Sequence, residues 1–154
     1  MVNMDQVKEL RDKTGISVMQ CSKALEQADG DMDKALAILK EKSAEAASKK
    51  GDRELGAGAV ASYVHASGAM GAMVLLMSET DFVSKNKEFT DLARDIAMHV
   101  AASAPEEGNV AALLEQPFIK NPDQTIGDLI SGAIQKFGEK VEIGNFARFS
   151  ALEN

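Results

Sequence analysis

The ten residues Met70–Glu79, MGAMVLLMSE, constrain the fold more than any other stretch of this chain. Their middle is continuously apolar, without the one-in-two polar alternation of a half-solvated strand, so the run predicts a strand covered on both faces. Ser67-Gly68-Ala69 precedes it as a turn, and Ala59–Ala66 before that has strand-like character, so the three segments read as a hairpin. No segment approaches the roughly 20 apolar residues that a membrane crossing needs.

Upstream of Gly56 the apolar period is helical. Met4, Val7 and Leu10 predict a first helix over 4–13, stopped by Thr14-Gly15. Ser17 caps a second, with Val18, Cys21, Ala24, Leu25 and Ala28 inside, and Asp29-Gly30 closes it. Asp31 caps a third, with Ala35, Leu36, Ile38 and Leu39 on its apolar face. A unit this small buries little surface and must lean on the rest of the chain or on a partner. The next segment, EKSAEAASKKGDREL, is rich in Ala and charge and reads as a partly helical connector with little core of its own. The expected organisation is therefore residues 1–41, a connector at 42–55, and a core at 56–154.

Downstream of the hairpin, Asn86 caps the clearest helix, where Phe89, Leu92, Ala93, Ile96, Ala97 and Val100 form one stripe up to Pro105. Residues 105–124 read as loop broken by Pro117 and Pro122. Thr125 and Asp128 form a variant capping box, opening a helix whose face is Ile126, Leu129, Ile130, Ala133, Ile134 and Phe137. A last strand follows at 141–151. The whole is α+β: a three-helix module, then a small antiparallel three-stranded sheet with helices on one face.

Composition removes several functions. The formal charge of −7 sits unevenly: residues 1–50 hold nine basic and nine acidic side chains, and residues 51–154 hold eight against fifteen. A groove that neutralises nucleic-acid phosphates is not expected on such a surface, and no direct nucleic-acid or membrane contact is foreseen. One cysteine, Cys21, makes no internal disulfide and suits a reducing cytoplasm; no basic stretch followed by an apolar run opens the chain as a signal peptide would. Enzyme chemistry is thin. There are two histidines and no nucleophile, zinc or phosphate-loop motif, so no catalytic residue, metal or cofactor is expected. His99 falls beside a buried helical stripe and reads as a hydrogen-bonded packing residue, Cys21 as a small core residue, and most of the eight methionines as core filler.

Ser78–Asn86, SETDFVSKN, resists a bland reading. A connector between a buried strand and a strong helix needs polar, turn-forming residues, yet this one carries Phe82 and Val83 beside Asp81. Folded inward, the pair staples the helix. Turned outward, Phe82 costs solubility unless a partner receives it. From the pattern alone the staple is favoured.

Two motifs carry a resemblance: Leu10–Leu25, LRDKTGISVMQCSKAL, and Glu79–Asn86, ETDFVSKN. With Tyr63-Val64-His65, MHVA at 98–101, LLEQPF at 113–118 and FARF at 146–149, they identify the chain as similar to the elongation factor Ts family, which exchanges nucleotide on the GTPase elongation factor Tu. The resemblance implies that the three-helix module is ubiquitin-associated-like and docks on the GTPase domain, with Arg11, Val18 and Met19 among its contacts. It implies that Thr80, Asp81, Phe82 and Val83 are a partner-binding motif, in which Asp81 and Phe82 are the pair that intrudes beside the partner's magnesium site, Phe82 as the wedge. His65 matches a histidine supporting that contact, and Phe137 another apolar position of the surface.

The departures are specific. Ser17 stands where relatives have Gly, Ser22 for Lys, Val18 for Met, Leu75 and Met77 for Glu and Asn, and Gly144-Asn145 for an Arg pair. A long helical insertion is reduced to residues 106–112. Long members of the family carry two copies of the core and this chain has one, so a homodimer with sheets paired across a two-fold would restore the missing half; the alternative is a shortened relative that binds or sequesters the GTPase without efficient exchange.

Overall fold

The structure, a computed structural model, describes residues 2–152. Its first unit is helical: α1 (Met4–Thr14), α2 (Val18–Gln27) and α3 (Met32–Lys49). Asn3, Ser17 and Asp31 cap them, each side-chain oxygen accepting a backbone N–H of the first turn. Gly15 and Gly30 end the first two helices with φ of 70° and 82°, a left-handed turn in which glycine alone is unstrained. Val7, Leu10, Cys21, Leu25 and Leu39 close a small core between the three helices.

Several residues expected in that core are not there. Met4 and Val18 are exposed, and Val2 and Met32 pack against the cluster instead. The methionines also depart from expectation. None of the seven in the described residues is buried, and Met4, Met19 and Met73 are among the exposed apolar side chains.

The Ala-rich segment read as a partly helical connector is helical up to Lys49, as the C-terminal half of α3, which crosses residue 41 without a break, and is turn and coil from 50 to 55. It is also not without packing. Ser43 is buried and donates to Gln135 Oε1, and Ala46 and Ala47 lie against the second core. Small side chains at 43, 46 and 47 let another helix approach closely, so the first unit leans on the rest of the chain along this edge.

The second unit is a sheet ordered β1 (Ala57–Val64), β2 (Met70–Ser78) and β5 (Glu142–Ser150), antiparallel throughout with β2 in the centre. Gly144 forms a bulge opposite Leu75/Leu76. Between β2 and β5 come the single turn α4 (Asp81–Ser84), then α5 (Lys87–Ser103), α6 (Val110–Glu115), the short hairpin β3 (Pro117–Phe118) and β4 (Asn121–Thr125), and α7 (Ile126–Phe137). The capping box of Thr125 and Asp128 is complete. The stretch expected as loop therefore holds a helix, capped by Asn109, and a hairpin; Pro117 and Pro122 sit in short paired strands rather than excluding them.

α5 packs against all three strands of the sheet. Its stripe of Phe89, Ala93, Ile96, Ala97 and Val100 meets Ala72, Val74 and Leu76 on the inner face of β2. The outer face is not covered, contrary to the expectation for Met70–Glu79. Met73, Val60, Val64 and Phe149 are exposed there, and Leu75 and Met77 are half-buried. All the helices that touch the sheet are on one side, so the apolar residues of the other side have only each other.

Ala104 ends α5 in the left-handed region, with φ 48° and ψ 57°, and its side chain is exposed. Ala104→Gly should relieve that strain and stabilise the protein by about 1 kcal/mol. The check is a thermal midpoint raised by roughly 2–4 °C, the scale expected at this chain length.

Candidate partner interface

The segment from Glu79 to Asn86 is held by a reciprocal pair of carboxylates. Glu139 Oε1 accepts from the backbone N–H groups of Glu79 at 3.2 Å and Thr80 at 3.0 Å, while Oε2 accepts from Thr80 Oγ1 at 2.6 Å. Glu79 returns the bond: its Oε2 accepts from the Lys140 N–H at 2.5 Å, and Arg53 lies 3.4 Å from Oε1. The exit of β2 and the entry to β5 are thereby tied. Thr80 is extended and leads into α4 without a side-chain cap, its hydroxyl being committed to Glu139.

One helical turn then sorts the apolar pair. Successive side chains on a helix diverge by about 100°. Val83 enters the core at 8 % exposure and Phe82 is left 91 % exposed. Staple and projection thus occur together, on neighbouring residues. Asn86 restarts the chain as the cap of α5 by accepting from the Glu88 N–H at 2.9 Å.

The other expected contact residues lie in two places. Arg11, Val18 and Met19 are exposed around the corner between α1 and α2. That corner meets the end of α7, since Lys13, Thr14 and Gly15 share a groove with Lys136, Phe137, Leu92 and Glu88. Lys136 pairs with Glu88, and burial followed by repulsion from Arg11 pushes its pKa down. Phe137 is half-buried and meets Phe89 edge-on at 6.1 Å. A second polar seam joins the units where Gln135 donates to Gln20 Oε1 at 2.6 Å and receives Ser43.

His65 is elsewhere. It lies in the hairpin turn, its Nδ1 accepting from the Ser67 N–H at 3.2 Å. Asp81 and Phe82 leave the opposite end of β2, whose nine residues separate the two by roughly 27 Å. Within this chain His65 and Phe82 are not brought together.

Sequence reasoning missed Glu139 and Gln135. Glu139 had a signal: it follows Gly138, the left-handed C-cap of α7, where a carboxylate opposes the helix dipole. An acid in that unfavourable place answers to something outside its helix. His99 and Cys21 take the packing roles expected of them. The His99 ring is buried, with Nε2 2.8 Å from Gln116 Oε1 and Nδ1 accepting from the Ile119 N–H at 3.3 Å. Burial raises the Cys21 pKa, and its thiol faces the Ile16 carbonyl. Among the described residues, no three His, Cys, Asp or Glu side chains gather as a metal site, and no helix is long and apolar enough to cross a membrane.

Comparison with known proteins decides the family. The family described as Elongation factor TS matches residues 7–109 and 79–154. The chain belongs to the elongation factor Ts family. It is 40 % identical to Elongation factor Ts of Carboxydothermus hydrogenoformans over 196 aligned positions, covering 99 % of this chain and 90 % of that protein. Against Elongation factor Ts of Alkaliphilus oremlandii it is 37 % identical, with 99 % and 90 % covered. Against that of Thermodesulfovibrio yellowstonii it is 38 % identical, with 96 % and 95 % covered. The first alignment is longer than the 154 residues of this chain, so that relative carries residues with no counterpart here.

The buried imidazole makes stability pH-dependent. Burial, opposed by the Gln116 bond, lowers the His99 pKa below 6.5. Below pH 6.5 the unfolded chain therefore binds a proton that the folded one resists, and stability falls as pH drops through that window. Urea midpoints measured from pH 7.5 to 5 should decline, and His99→Gln should flatten the decline while lowering stability throughout.

Proposed function

We propose that this protein promotes release of GDP from elongation factor Tu during translation elongation, by seating Phe82 and Asp81 beside the GTPase's magnesium and nucleotide site. Membership in the family implies nucleotide exchange on that partner in general. The observation that carries the finer reading is the solvent-exposed Phe82, projecting from a turn fixed by Val83 and Thr80. A free phenyl ring on a pinned turn is suited to entering a gap between helices. It loses little conformational freedom in doing so.

The protein makes and breaks no covalent bond in this scheme. Its binding energy stabilises a GTPase whose nucleotide site is distorted, and by linkage each ligand weakens the other equally. A coupling of about 3 kcal/mol is enough for roughly a hundredfold faster release. Residues 1–41, through Arg11, Val18 and Met19, supply the docking contact, and Phe137 extends it at the corner with α7. The acidic remainder of the chain steers approach to basic groups.

We further propose that the protein acts as a homodimer. The outer sheet face runs Val64–Gly71–Phe149, Ser62–Met73–Ala147 and Val60–Leu75–Asn145 across the three strands, without a charge in those rows. Leu75 and Met77 fill space that Gly144 and Gly58 leave open. The resemblance leads one to expect polar residues at 75, 77, 144 and 145, so this face is more apolar than its relatives'. A second copy turned by a two-fold covers it and brings His65 of one protomer toward the Phe82 end of the other. A chain that only sequesters the GTPase is the other reading, and it predicts binding without release.

Fluorescent GDP release from the cognate GTPase separates them. Phe82→Ala should slow stimulated release roughly ten- to a hundredfold, with the thermal midpoint unchanged because the ring is exposed. Wild-type protein that binds yet leaves release unaltered would sink the exchange reading. Met73→Glu should leave each protomer folded and shift light scattering to the monomer mass; an unchanged mass for both proteins at monomer size rules the dimer out.

A further inference from the structure

We infer that Glu139 is the positioning residue of the Phe82 wedge, an inference that rests on the exchange reading above. Among the described residues, no other side chain makes as many hydrogen bonds to Glu79 and Thr80. Its two oxygens accept both successive N–H groups, of Glu79 and Thr80, and the Thr80 hydroxyl. These are the last two residues before Asp81 and Phe82. Without Glu139 their N–H groups at the strand end would turn to water, and the Thr80 hydroxyl would be free to rotate.

The geometry is directional. Thr80 is extended at φ −128° and ψ 159°, and the chain becomes helical at Asp81. The angle at which Phe82 leaves the surface is set at that switch. Val83 anchors the far side of the turn in the core, and Ser78 Oγ donates to the Thr80 carbonyl at 3.0 Å. Glu139 supplies the remaining hold, from a different element. It stands on the connection between α7 and β5, directly after the Gly138 cap, so its place follows α7 rather than β2. The return bond from Lys140 N–H to Glu79 keeps that connection in register with the strand.

A carboxylate that accepts three hydrogen bonds from two consecutive residues restricts rotation about them. The wedge is then presented in one orientation. Its effect belongs to the step in which the nucleotide site is distorted, and not to the initial docking made by Arg11, Val18 and Met19. Removing Glu139 should therefore lower the maximal exchange rate more than it alters the concentration of protein giving half that rate.

The test compares wild type, Glu139→Ala, Glu139→Gln and Thr80→Val as full-length chains in stimulated GDP release from elongation factor Tu. Amide hydrogen exchange is read at Glu79 and Thr80. Glu139→Ala should lose roughly tenfold or more in maximal rate, with half-saturation changed less than about threefold and faster amide exchange at both positions. Glu139→Gln keeps an oxygen for the two N–H groups and should retain most of the rate; Thr80→Val should fall between. If Glu139→Ala fails to fold, the Gln and Val variants carry the comparison. Loss of rate matched by an equal loss of half-saturation, or Ala and Val variants at wild-type rate, overturns the positioning role. A wild-type protein that does not accelerate release overturns the exchange reading itself, and Phe82→Ala, then equally inert, tells that failure from the failure of Glu139.

Discussion

The burial of β2 under α5 is the contact on which the rest of the molecule depends. Ala72, Val74 and Leu76 point into the stripe of α5, which is the main cover of three strands of eight or nine residues, with α4 and α6 at the margins. Such a sheet is unstable alone and needs a helix on at least one apolar face. Once α5 lies across it, α4 must turn within one helical turn from strand to helix, and the sorting of Val83 inward and Phe82 outward follows. The outward Phe82 is thus a by-product of how tightly strand and helix must be joined.

α7 has a different task. It touches the three-helix unit through Gln135 and Lys136, the start of α5 through Phe137, and the wedge turn through the residue just beyond its cap. Few of these contacts are individually large. Polar seams of this kind contribute specificity of fit more than bulk stability, since a displaced partner would leave buried donors unsatisfied. The apolar outer face of the sheet is the converse. Its exposed Val60, Val64, Met73 and Phe149 add little to the stability of a lone chain.

Helix spans, caps and the hairpin were legible because each rests on local chemistry: Ser17, Asp31, Asn86 and Thr125 all cap the helices expected of them. What was misread depends on which neighbour arrives. Met70–Glu79 is apolar on both faces, yet only one face meets a helix, and the sequence pattern does not say whether the other is covered by this chain or another. Residues 105–124 were obscured by two prolines, which paired strands of two and five residues tolerate. The wedge motif was visible as an anomaly, a Phe where solvent was expected. Glu139 was not, because its partners are some sixty residues away and only the folded chain brings the two connections together.

The uninterrupted α3 has a mechanical consequence. Eighteen residues of helix span roughly 27 Å, and residues 50–56, which lead on to β1, are not helical, so the first unit is held to the rest by the packing of α3 on α7 rather than by its covalent link. A flexible linker would let the second contact sample a large volume before it found its place. In the exchange scheme proposed above, that packing confines the search to the small angular play of a packed helix, and raises the local concentration of one binding element at the other's target. In that scheme, grip at one end of the molecule becomes aim at the other.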